Sequence, residues 1–528
     1  MTARNGLPGI DHQSSLRLFL QHAVLFIGCV LFHSAGTWSL PLIDRDEPRF
    51  AEASREMIQR GDYVVPFFNN QLRLDKPPLT YWAQTVSYRI FGENDFAARF
   101  PSAVAAALIA VTIPIRGLKI GGRHTGWRAA IIFTLCLQTF IHGKAAVADM
   151  WLALFVTTAH WSGLELLRDG LTNSPHQESS IKHRTLHWWF LFYISLALGF
   201  LAKGPIAWTP LLTVGSTVVY APNLQLCRRF KFFRGIVVML AIVAAWGIPA
   251  LIRTHGEFLR IGIGRHVIGR SFGAMEGHGW DSLGGYLLLL PFYFVTVFVS
   301  FFPWSIKLPS LLKGLWRKHD NIDCYLFSGA AIIFIIFSLI KTKLPHYTLP
   351  AFGMLALLLG RHWDPEEDSE HKAHESKPSD SKEIDQPPTA IEGHRSLFKA
   401  MAITTAGVWI TIALVVPPLV ARFFPAYELF QESRAYLQPN MQFASVDFGE
   451  PSLVWYFRSR VKGFLTRTNK KNAAEFMSEP GARFVTMPTS LVQGIFPNHP
   501  ESWNFFSTSG FNIPKGKKVD LTLVLKPQ

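Results

Sequence analysis

The stretch that decides the fold reads DRDEPRFAEASREM (44–57) and then RGDYVVPFFNNQLRLDKPPL (60–79). It follows an apolar run, and it places an acidic pair, Asp46 and Glu47, a short loop away from a cation, Lys76. Charged groups at the surface of a membrane-spanning protein are costly to bury and usually mark the place where a substrate is handled. This loop is therefore the first candidate for a functional site.

The composition is that of a membrane protein. Of the 528 residues, 49% are hydrophobic and only 17% are charged, whereas soluble chains carry about 25% charged residues. The net charge of +15 is spread over short loops between apolar runs, which is typical of membrane topology and argues against nucleic-acid binding. We therefore expect a mostly α-helical, polytopic membrane protein that binds no nucleic acid.

Apolar runs of nearly the roughly 20 residues needed to cross a bilayer recur along the chain. They predict about 11 transmembrane helices, within a range of about 10 to 13. The first run is not followed by a small-residue cleavage site, so we interpret it as a retained span. The predicted spans cover 19–41, 98–117, 128–143, 150–168, 187–202, 205–221, 235–252, 284–304, 324–340, 347–360 and 399–422.

Positive charge orients these spans. With the N-terminus inside, the short basic loops that begin at Lys119, Arg168, Cys227 and Lys307 are cytoplasmic, as the positive-inside rule requires. The long loop 361–398 also falls inside, and its Ser, Glu, Lys, Pro and Asp content predicts disorder, because such a composition cannot build a core. The membrane domain then covers 1–422.

Two segments are predicted on the outer face. The loop 42–97 contains EPRFAEASREMIQR (47–60), whose apolar spacing suits a short amphipathic helix on the membrane interface. The segment 423–528 is polar enough to be soluble, and SVDFG, RFVTMP and VDLTLVLKP in it are typical of short strands. We expect this segment to form a small α/β domain outside the membrane.

The outer loops bring together groups suited to transfer chemistry. Asp46 and Asp149 are candidates for a general base, because partial desolvation raises a carboxylate pKa toward the working range; a helix cap is an equal alternative for Asp149. Lys76, Lys203 and Arg270 form a candidate phosphate site. The alternative for each of these cations is contact with lipid headgroups.

Other polar groups share this face. Asp75 and His266 offer an oxygen and a nitrogen ligand, so a divalent metal such as Zn or Mg is an open possibility there. His346 and Tyr347, in KLPHY, could hydrogen-bond a phosphate or a sugar. Tyr347 alone fits equally well in an interfacial aromatic belt.

Three stretches carry a resemblance to a known family. DEPRFAEASREM (46–57), GDYVVPFFNNQLRLDKPPLTYW (61–82) and FGENDFAARFPSA (91–103) resemble the lipid A 4-amino-4-deoxy-L-arabinose transferases and their glycosyltransferase family 39/83 relatives. Protein O-mannosyltransferases look like more distant kin. The resemblance extends over about residues 20 to 360, and it implies the polytopic GT-C fold.

The resemblance also implies roles for residues. It suggests catalytic roles for Asp46 and Asp149, and metal ligation by Asp75 and His266. Relatives usually have Glu before KPP, and the shorter Asp75 weakens the metal assignment. The residues expected to bind substrate are Glu47, Lys76, Lys203, Arg270 and Tyr347.

The resemblance implies an activity as well. We expect an inverting glycosyltransferase that moves a sugar from a polyprenyl-phosphate donor to a lipid or glycan acceptor such as lipid A. It would sit in the bacterial inner membrane among membrane lipids, with its active site facing the periplasm. The chain has no Gly-rich nucleotide loop, in agreement with such a donor. A flippase for lipid-linked sugars, a polysaccharide ligase or polymerase, and a structural scaffold are the alternatives.

Overall fold

The computed structural model describes residues 12–171, 181–269, 273, 282–363 and 390–527. Helices make up most of the chain before the last hundred residues, and a mixed β-sheet lies in the C-terminal region. Arg270 lies outside the described residues. So do residues 364–389, which form most of the loop 361–398 that was predicted to be disordered. The mostly helical class expected from the sequence is confirmed.

The helical part begins with a long helix and the outer loop. Its first elements are α1 (His12–Ser34), α2 (Asp46–Arg60), β1 (Phe67–Phe68), β2 (Gln71–Leu72), α3 (Leu79–Phe91), α4 (Asp95–Leu135), α5 (Leu137–His142), α6 (Asp149–Leu171), α7 (Ile181–Lys203), a 3₁₀ turn (Pro205–Trp208), α8 (Thr209–Tyr220), α9 (Leu226–Phe230) and α10 (Phe232–Arg253). The remaining elements before the C-terminal region are a π-helix (Leu259–Gly269), α11 (Leu283–Leu288), α12 (Phe292–Ser300), a 3₁₀ turn (Trp304–Lys307), α13 (Leu308–Arg317), α14 (Asn321–Leu339), a 3₁₀ turn (Pro345–Ala351), α15 (Phe352–Arg361), α16 (Ala390–Val420) and a 3₁₀ turn (Ala421–Phe423).

The protein is a multi-pass membrane protein. Within the described residues, six helices are long and apolar enough to cross a membrane: Leu16–Ser34, Asp95–Leu135, Thr185–Lys203, Leu226–Arg253, Asn321–Leu339 and Arg395–Phe423. Other predicted spans are divided into shorter helices. The span predicted at 284–304, for example, is interrupted at Pro291 and Pro303, because proline lacks the N–H that an uninterrupted helix needs.

The 41-residue helix α4 contains the whole of the predicted span 98–117 and the first part of the predicted span 128–143. This helix contains non-helical backbone at Gly121 and Gly122, and the φ of 80° at Gly122 is one that glycine adopts easily. The second of these spans was predicted as continuous, but α4 ends at Leu135 and extended backbone at Cys136 separates it from α5, which ends at His142. The helix that contains the last predicted span, 399–422, starts at Ala390.

A buried ion pair fixes the loop 42–97 to the membrane helices. Glu47 in α2 accepts two bonds from the guanidinium of Arg99 in α4, at 3.0 and 2.7 Å, and the two residues are 5% and 1% exposed. Glu47 also accepts from the backbone N–H groups of Ile43 and Ala146, both at 2.7 Å. One carboxylate thus joins the start of α2, α4 and the turn before α6.

Removal of the Glu47 carboxylate or of the Arg99 guanidinium should therefore lower the free energy of unfolding. Glu47→Ala leaves a buried guanidinium without its carboxylate and should cost about 3–5 kcal/mol of unfolding free energy, measurable as a lower Tm of the purified protein in detergent. Glu93→Ala is the matched control, because the Arg55–Glu93 pair at 2.8 Å involves a glutamate that is 37% exposed and should contribute about 1 kcal/mol or less. Equal losses in the two variants would contradict the importance of the buried pair.

The C-terminal region contains a five-stranded mixed sheet. The elements of this region are α17 (Pro425–Ser433), β3 (Gln442–Val446), α18 (Pro451–Phe457), β4 (Leu465–Thr468), α19 (Asn472–Ser478), β5 (Arg483–Pro488), α20 (Thr489–Ile495), β6 (Asn504–Asn512), a 3₁₀ turn (Ile513–Lys515) and β7 (Lys517–Lys526). The strand order is β4-β3-β5-β7-β6, with β3 parallel to β4 and β5, and with β7 antiparallel to β5 and β6. The sequence indicated three of these strands and missed β4 and β6, which are half exposed.

The C-terminal region packs directly on the outer loop. Arg458, just after α18, contacts the buried carboxylates of Glu52 and Glu56 in α2. Arg55 of α2 donates to the carbonyl oxygen of Trp455 at 2.8 Å and lies over its indole ring. Ten of the fifteen residues of α2 are buried, because α18 and α3 both pack on it. Its predicted position on the membrane interface stays a prediction. The division into domains at residue 423 stays a prediction.

Asp44 adds a titratable contact to this interface. Its carboxylate accepts from the backbone N–H and the hydroxyl of Ser452 at 2.9 and 2.6 Å. Burial raises the pKa of Asp44 to about 7, although the two bonds from Ser452 lower it. The folded protein thus holds this proton to a higher pH than the unfolded chain, in which the pKa of an Asp is about 3.9.

The contribution of Asp44 to stability should therefore fall as the pH rises. Below about pH 4 the carboxyl is protonated in both states, and between about pH 4 and 7 the unfolded state alone ionises, which favours unfolding. The Asp44→Asn variant cannot ionise at this position and is the reference. The Tm of the wild-type protein minus the Tm of Asp44→Asn should fall between about pH 4 and 7 and change little above pH 7. A difference in Tm that stays constant from pH 4 to 8 would contradict this assignment.

Candidate active site

Two cavities with mainly apolar walls meet at a pair of lysines. Lys76 and Lys203 line a cavity of about 350 Å³, whose walls include Phe200, Trp246 and Phe258. The same two lysines line a second cavity of about 460 Å³. Two cations between two apolar spaces are suited to an amphiphile that carries an anionic group.

The second cavity adds further polar groups. Asp149, Thr342 and Tyr347 lie in its wall beside the two lysines. Four of the residues that the sequence singled out on the outer face, Lys76, Asp149, Lys203 and Tyr347, therefore line one space. Their convergence depends on the fold, because α6, α7 and the turn before α15 supply three of them.

Chain breaks position both lysines. Lys76 precedes Pro77 and Pro78, which fix the backbone before α3 begins at Leu79. Lys203 is the last residue of α7, where Gly204 adopts a φ of 88° and Pro205 starts a 3₁₀ turn. The break leaves the Lys203 side chain at a helix end, where it is 14% exposed.

Asp149 is a direct partner of Lys203. It begins α6, its side chain is 9% exposed, and its Oδ1 accepts from the Lys203 ammonium at 2.5 Å. The ammonium also lies 5.1 Å from the centre of the Tyr347 ring. A carboxylate that neutralises an ammonium is a weaker base than a free one, so this geometry favours a positioning role for Asp149. Its catalytic role stays a prediction.

Asp46 lies in a more open setting. It is the first residue of α2 and is exposed. Its charge also acts on the neighbouring guanidinium of Arg73. Burial alone would lower the pKa of Arg73, but Asp75, Tyr81 and Asp46 together raise it. The Asp46 carboxylate is thus open to solvent, and its catalytic role stays a prediction.

Glu47 has a different environment from the one expected. The sequence predicted that it binds substrate, but its two carboxylate oxygens already accept four bonds from Arg99 and two backbone N–H groups. Its contacts make it a support for the loop that carries Asp46. No sequence signal distinguishes the two roles, because Arg99 lies 52 residues away.

The metal ligation expected of Asp75 and His266 stays a prediction. The Asp75 carboxylate is paired with the Arg73 guanidinium, at 3.2 Å from its Nε, and Tyr81 holds the same guanidinium at 2.8 Å. A cation on Asp75 would have to face this fixed positive charge. His266 belongs to the π-helix.

The sequence missed His142, which lies close to the site. Its ring centre is 4.9 Å from that of His346, a residue that the sequence did place on this face. The side chains of His142, Asp149 and His346 bring ligand atoms within 4.8 Å of one another. Because the three residues belong to different elements, only the folded arrangement shows the cluster.

Comparison with known proteins confirms the resemblance. A model of the family described as dolichyl-phosphate-mannose-protein mannosyltransferase matches residues 75–248. An undecaprenyl phosphate-alpha-4-amino-4-deoxy-L-arabinose arabinosyl transferase of Aeromonas salmonicida is 30% identical over 335 residues, which cover 62% of this chain and 57% of that protein. An uncharacterized protein of Aquifex aeolicus is 29% identical over 65% of this chain and 72% of its own length. The matched part thus spans little more than half of the Aeromonas transferase.

A solved structure confirms the fold. The crystal structure of ArnT from Cupriavidus metallidurans bound to undecaprenyl phosphate superposes with a TM-score of 0.70 and 18% identity, covering 98% of this chain and 100% of that one. The same protein in the apo state gives a TM-score of 0.69. The chain therefore has the polytopic fold of ArnT, as the GT-C resemblance implied.

Proposed function

We propose that this protein is a membrane glycosyltransferase that moves a sugar from a polyprenyl-phosphate donor to a lipid or glycan acceptor. The observation that carries the proposal is the pair Lys76 and Lys203 between two apolar cavities. Such an arrangement suits a ligand with an anionic phosphate and a long apolar chain. The relatives named for transfer from undecaprenyl phosphate support the same donor class.

The lysines would act on the leaving group. Cleavage of the sugar–phosphate bond leaves its electron pair and a negative charge on the polyprenyl phosphate. Fixed cations in a poorly hydrated cavity stabilise this developing charge, and removal of one such group typically costs about 3–4 kcal/mol of transition-state stabilisation. Asp149 would hold Lys203 in place through their 2.5 Å contact.

The acceptor would approach from the side of Asp46. An acceptor hydroxyl needs to lose its proton as it bonds to the sugar carbon, and an exposed carboxylate at the start of α2 can accept that proton. A phosphate acceptor is already anionic near neutral pH and needs less help. Attack opposite the leaving phosphate inverts the sugar carbon. We place the protein in a bacterial inner membrane, with this face toward the periplasm.

Sugar transfer by the purified protein tests the proposal. The protein in detergent is incubated with defined polyprenyl-phosphate sugars and with lipid A, and products are identified by mass spectrometry. We expect transfer of one sugar by the wild-type protein, and a loss of at least about 100-fold in kcat for Asp46→Asn because the proton acceptor is gone. Donor affinity should change little in this variant. The flippase alternative is tested with the protein reconstituted in lipid vesicles. Movement of the donor across the vesicle bilayer, with no sugar transferred to an acceptor, would support a flippase instead.

Lys76 should contribute mainly to donor affinity. Lys76→Ala removes one cation from the shared wall of the two cavities and should weaken binding of polyprenyl phosphate by about tenfold or more, since a charge-assisted bond contributes about 1.5–3 kcal/mol. Binding is measured by titration of the purified protein, with the thermal midpoint as a check of folding. Lys470→Ala is the control, because Lys470 is 59% exposed in the C-terminal region. Equal affinity in the wild type and Lys76→Ala would contradict a phosphate site here.

A further inference from the structure

Three side chains with metal-binding atoms meet beside the lysine pair. His142 ends α5, Asp149 begins α6, and His346 lies in the 3₁₀ turn before α15. One ligand atom of each residue lies within 4.8 Å of the others. Nε2 of His346 is 3.8 Å from Oδ1 of Asp149, and the two imidazole rings are 4.9 Å apart at an angle of 35°.

We propose that His142, Asp149 and His346 form a site for a divalent transition-metal ion, with Zn²⁺ as the best match. Two imidazole nitrogens and one carboxylate oxygen are a known ligand set for zinc, and they leave a fourth position open. Mg²⁺ and Ca²⁺ prefer oxygen ligands and fit this set poorly. The site is separate from the Asp75 and His266 pair that the sequence indicated.

A neighbouring amide orients one of the ligands. The amide nitrogen of Gln138, one turn earlier in α5, lies 2.8 Å from Nδ1 of His142. A 180° flip of this amide exchanges its nitrogen and oxygen, and in the flipped orientation Oε1 of Gln138 accepts the Nδ1 proton and leaves the Nε2 lone pair for a metal ion. Such outer partners commonly fix the tautomer of a ligating histidine. Both residues are buried, at 6% and 9% exposed.

The ligands need only a small movement to close on an ion. Zinc–nitrogen bonds of about 2.0–2.1 Å place the ligands of a tetrahedral site about 3.4 Å apart. The three ligand atoms all lie within 4.8 Å of one another, so side-chain rotations that move these atoms by at most about 1.5 Å are enough. His346 can make this movement, because its side chain is 24% exposed and faces the site from a short turn.

The ion and Lys203 would compete for the same carboxylate. The ammonium bonds Oδ1 of Asp149 at 2.5 Å, and two positive charges at such a distance repel strongly in a poorly hydrated site. Metal binding would therefore turn Lys203 away from Asp149 and toward the cavities that it lines. Lys203 can make this turn since its chain is flexible, in contrast to Arg73, which is held between Asp75 and Tyr81.

Zinc binding by the full-length, tag-free protein tests the proposal. The protein is stripped with a chelator, titrated with Zn²⁺ against a metal indicator, and also loaded with Co²⁺, whose visible spectrum reports tetrahedral nitrogen and oxygen ligands. We expect one ion per chain. His142→Ala and His346→Gln should each lower the affinity at least about tenfold, as should removal of the orienting amide in Gln138→Ala.

A matched control separates this site from general histidine binding. His362 also lies beside a carboxylate, with Nε2 at 2.9 Å from Asp323, but the described residues offer no second histidine in that cluster. His362→Ala should therefore keep the zinc affinity of the wild type. Lys203→Met should bind zinc more tightly than the wild type, because the competing charge is gone.

The Zn²⁺ and Co²⁺ binding measurements alone can overturn the proposed metal site, and no assay of sugar transfer is needed. Zinc affinity that is equal in the wild type, His142→Ala and His346→Gln, for variants whose Tm matches the wild type, would overturn it. A stripped wild-type protein that binds no Zn²⁺ at micromolar concentrations and gives no Co²⁺ spectrum would overturn it as well. Neither result would affect the proposed transfer activity, which is measured independently.

Discussion

The arrangement of the loop 42–97 on the membrane helices depends on one buried ion pair. The Glu47 carboxylate and the Arg99 guanidinium are almost fully removed from water, where an unpaired charge would be very costly. Arg99 also donates to the backbone carbonyl oxygens of Thr37, Leu40 and Pro41. The pair therefore determines the path of the chain as it leaves the first membrane helix. It also fixes the positions of the two neighbouring acids, Asp46 and, through the N–H of Ala146, Asp149.

The C-terminal region completes this support from the other side. The contacts of Arg458 with α2, and of Ser452 with Asp44, bracket the helix that begins with Asp46. Trp455 and Tyr456 donate to Asp95 at the start of α4, at 2.7 and 2.9 Å. The candidate catalytic acid is thus held between the membrane helices and the sheet-containing region, while its own side chain stays exposed. This arrangement explains how a carboxylate in a loop can have a fixed position without being buried.

The sequence predicted the class of fold and singled out four of the residues that line one cavity, because both leave local signals. Long apolar runs, basic short loops and the KPP sequence are visible without any knowledge of tertiary contacts. The separate helices in the predicted spans were less predictable, because the backbone at Cys136 departs from a helix inside apolar sequence. The irregular backbone at Gly122, in contrast, falls within the basic loop that the sequence indicated from Lys119. The predicted spans 128–143 and 284–304 therefore ran across real breaks in the chain.

The long-range partners were not predictable at all. Glu47 and Arg99 are 52 residues apart, and Arg458 and Glu52 are 406 apart, so only the fold shows that Glu47 supports the loop. Single acidic and basic residues in a sequence do not reveal which will pair with each other. The same reason kept His142 out of the predicted site, since nothing near it in the sequence marks it as a neighbour of His346.

A structure of the protein with polyprenyl phosphate bound would test the central claim most directly. The account predicts phosphate oxygens within hydrogen-bond distance, about 2.7–3.2 Å, of the ammonium groups of both Lys76 and Lys203, with the polyprenyl chain in one of the two apolar cavities. Asp46 would lie open to the acceptor on the outer side. A phosphate bound away from both lysines, or a lipid chain outside both cavities, would contradict the account.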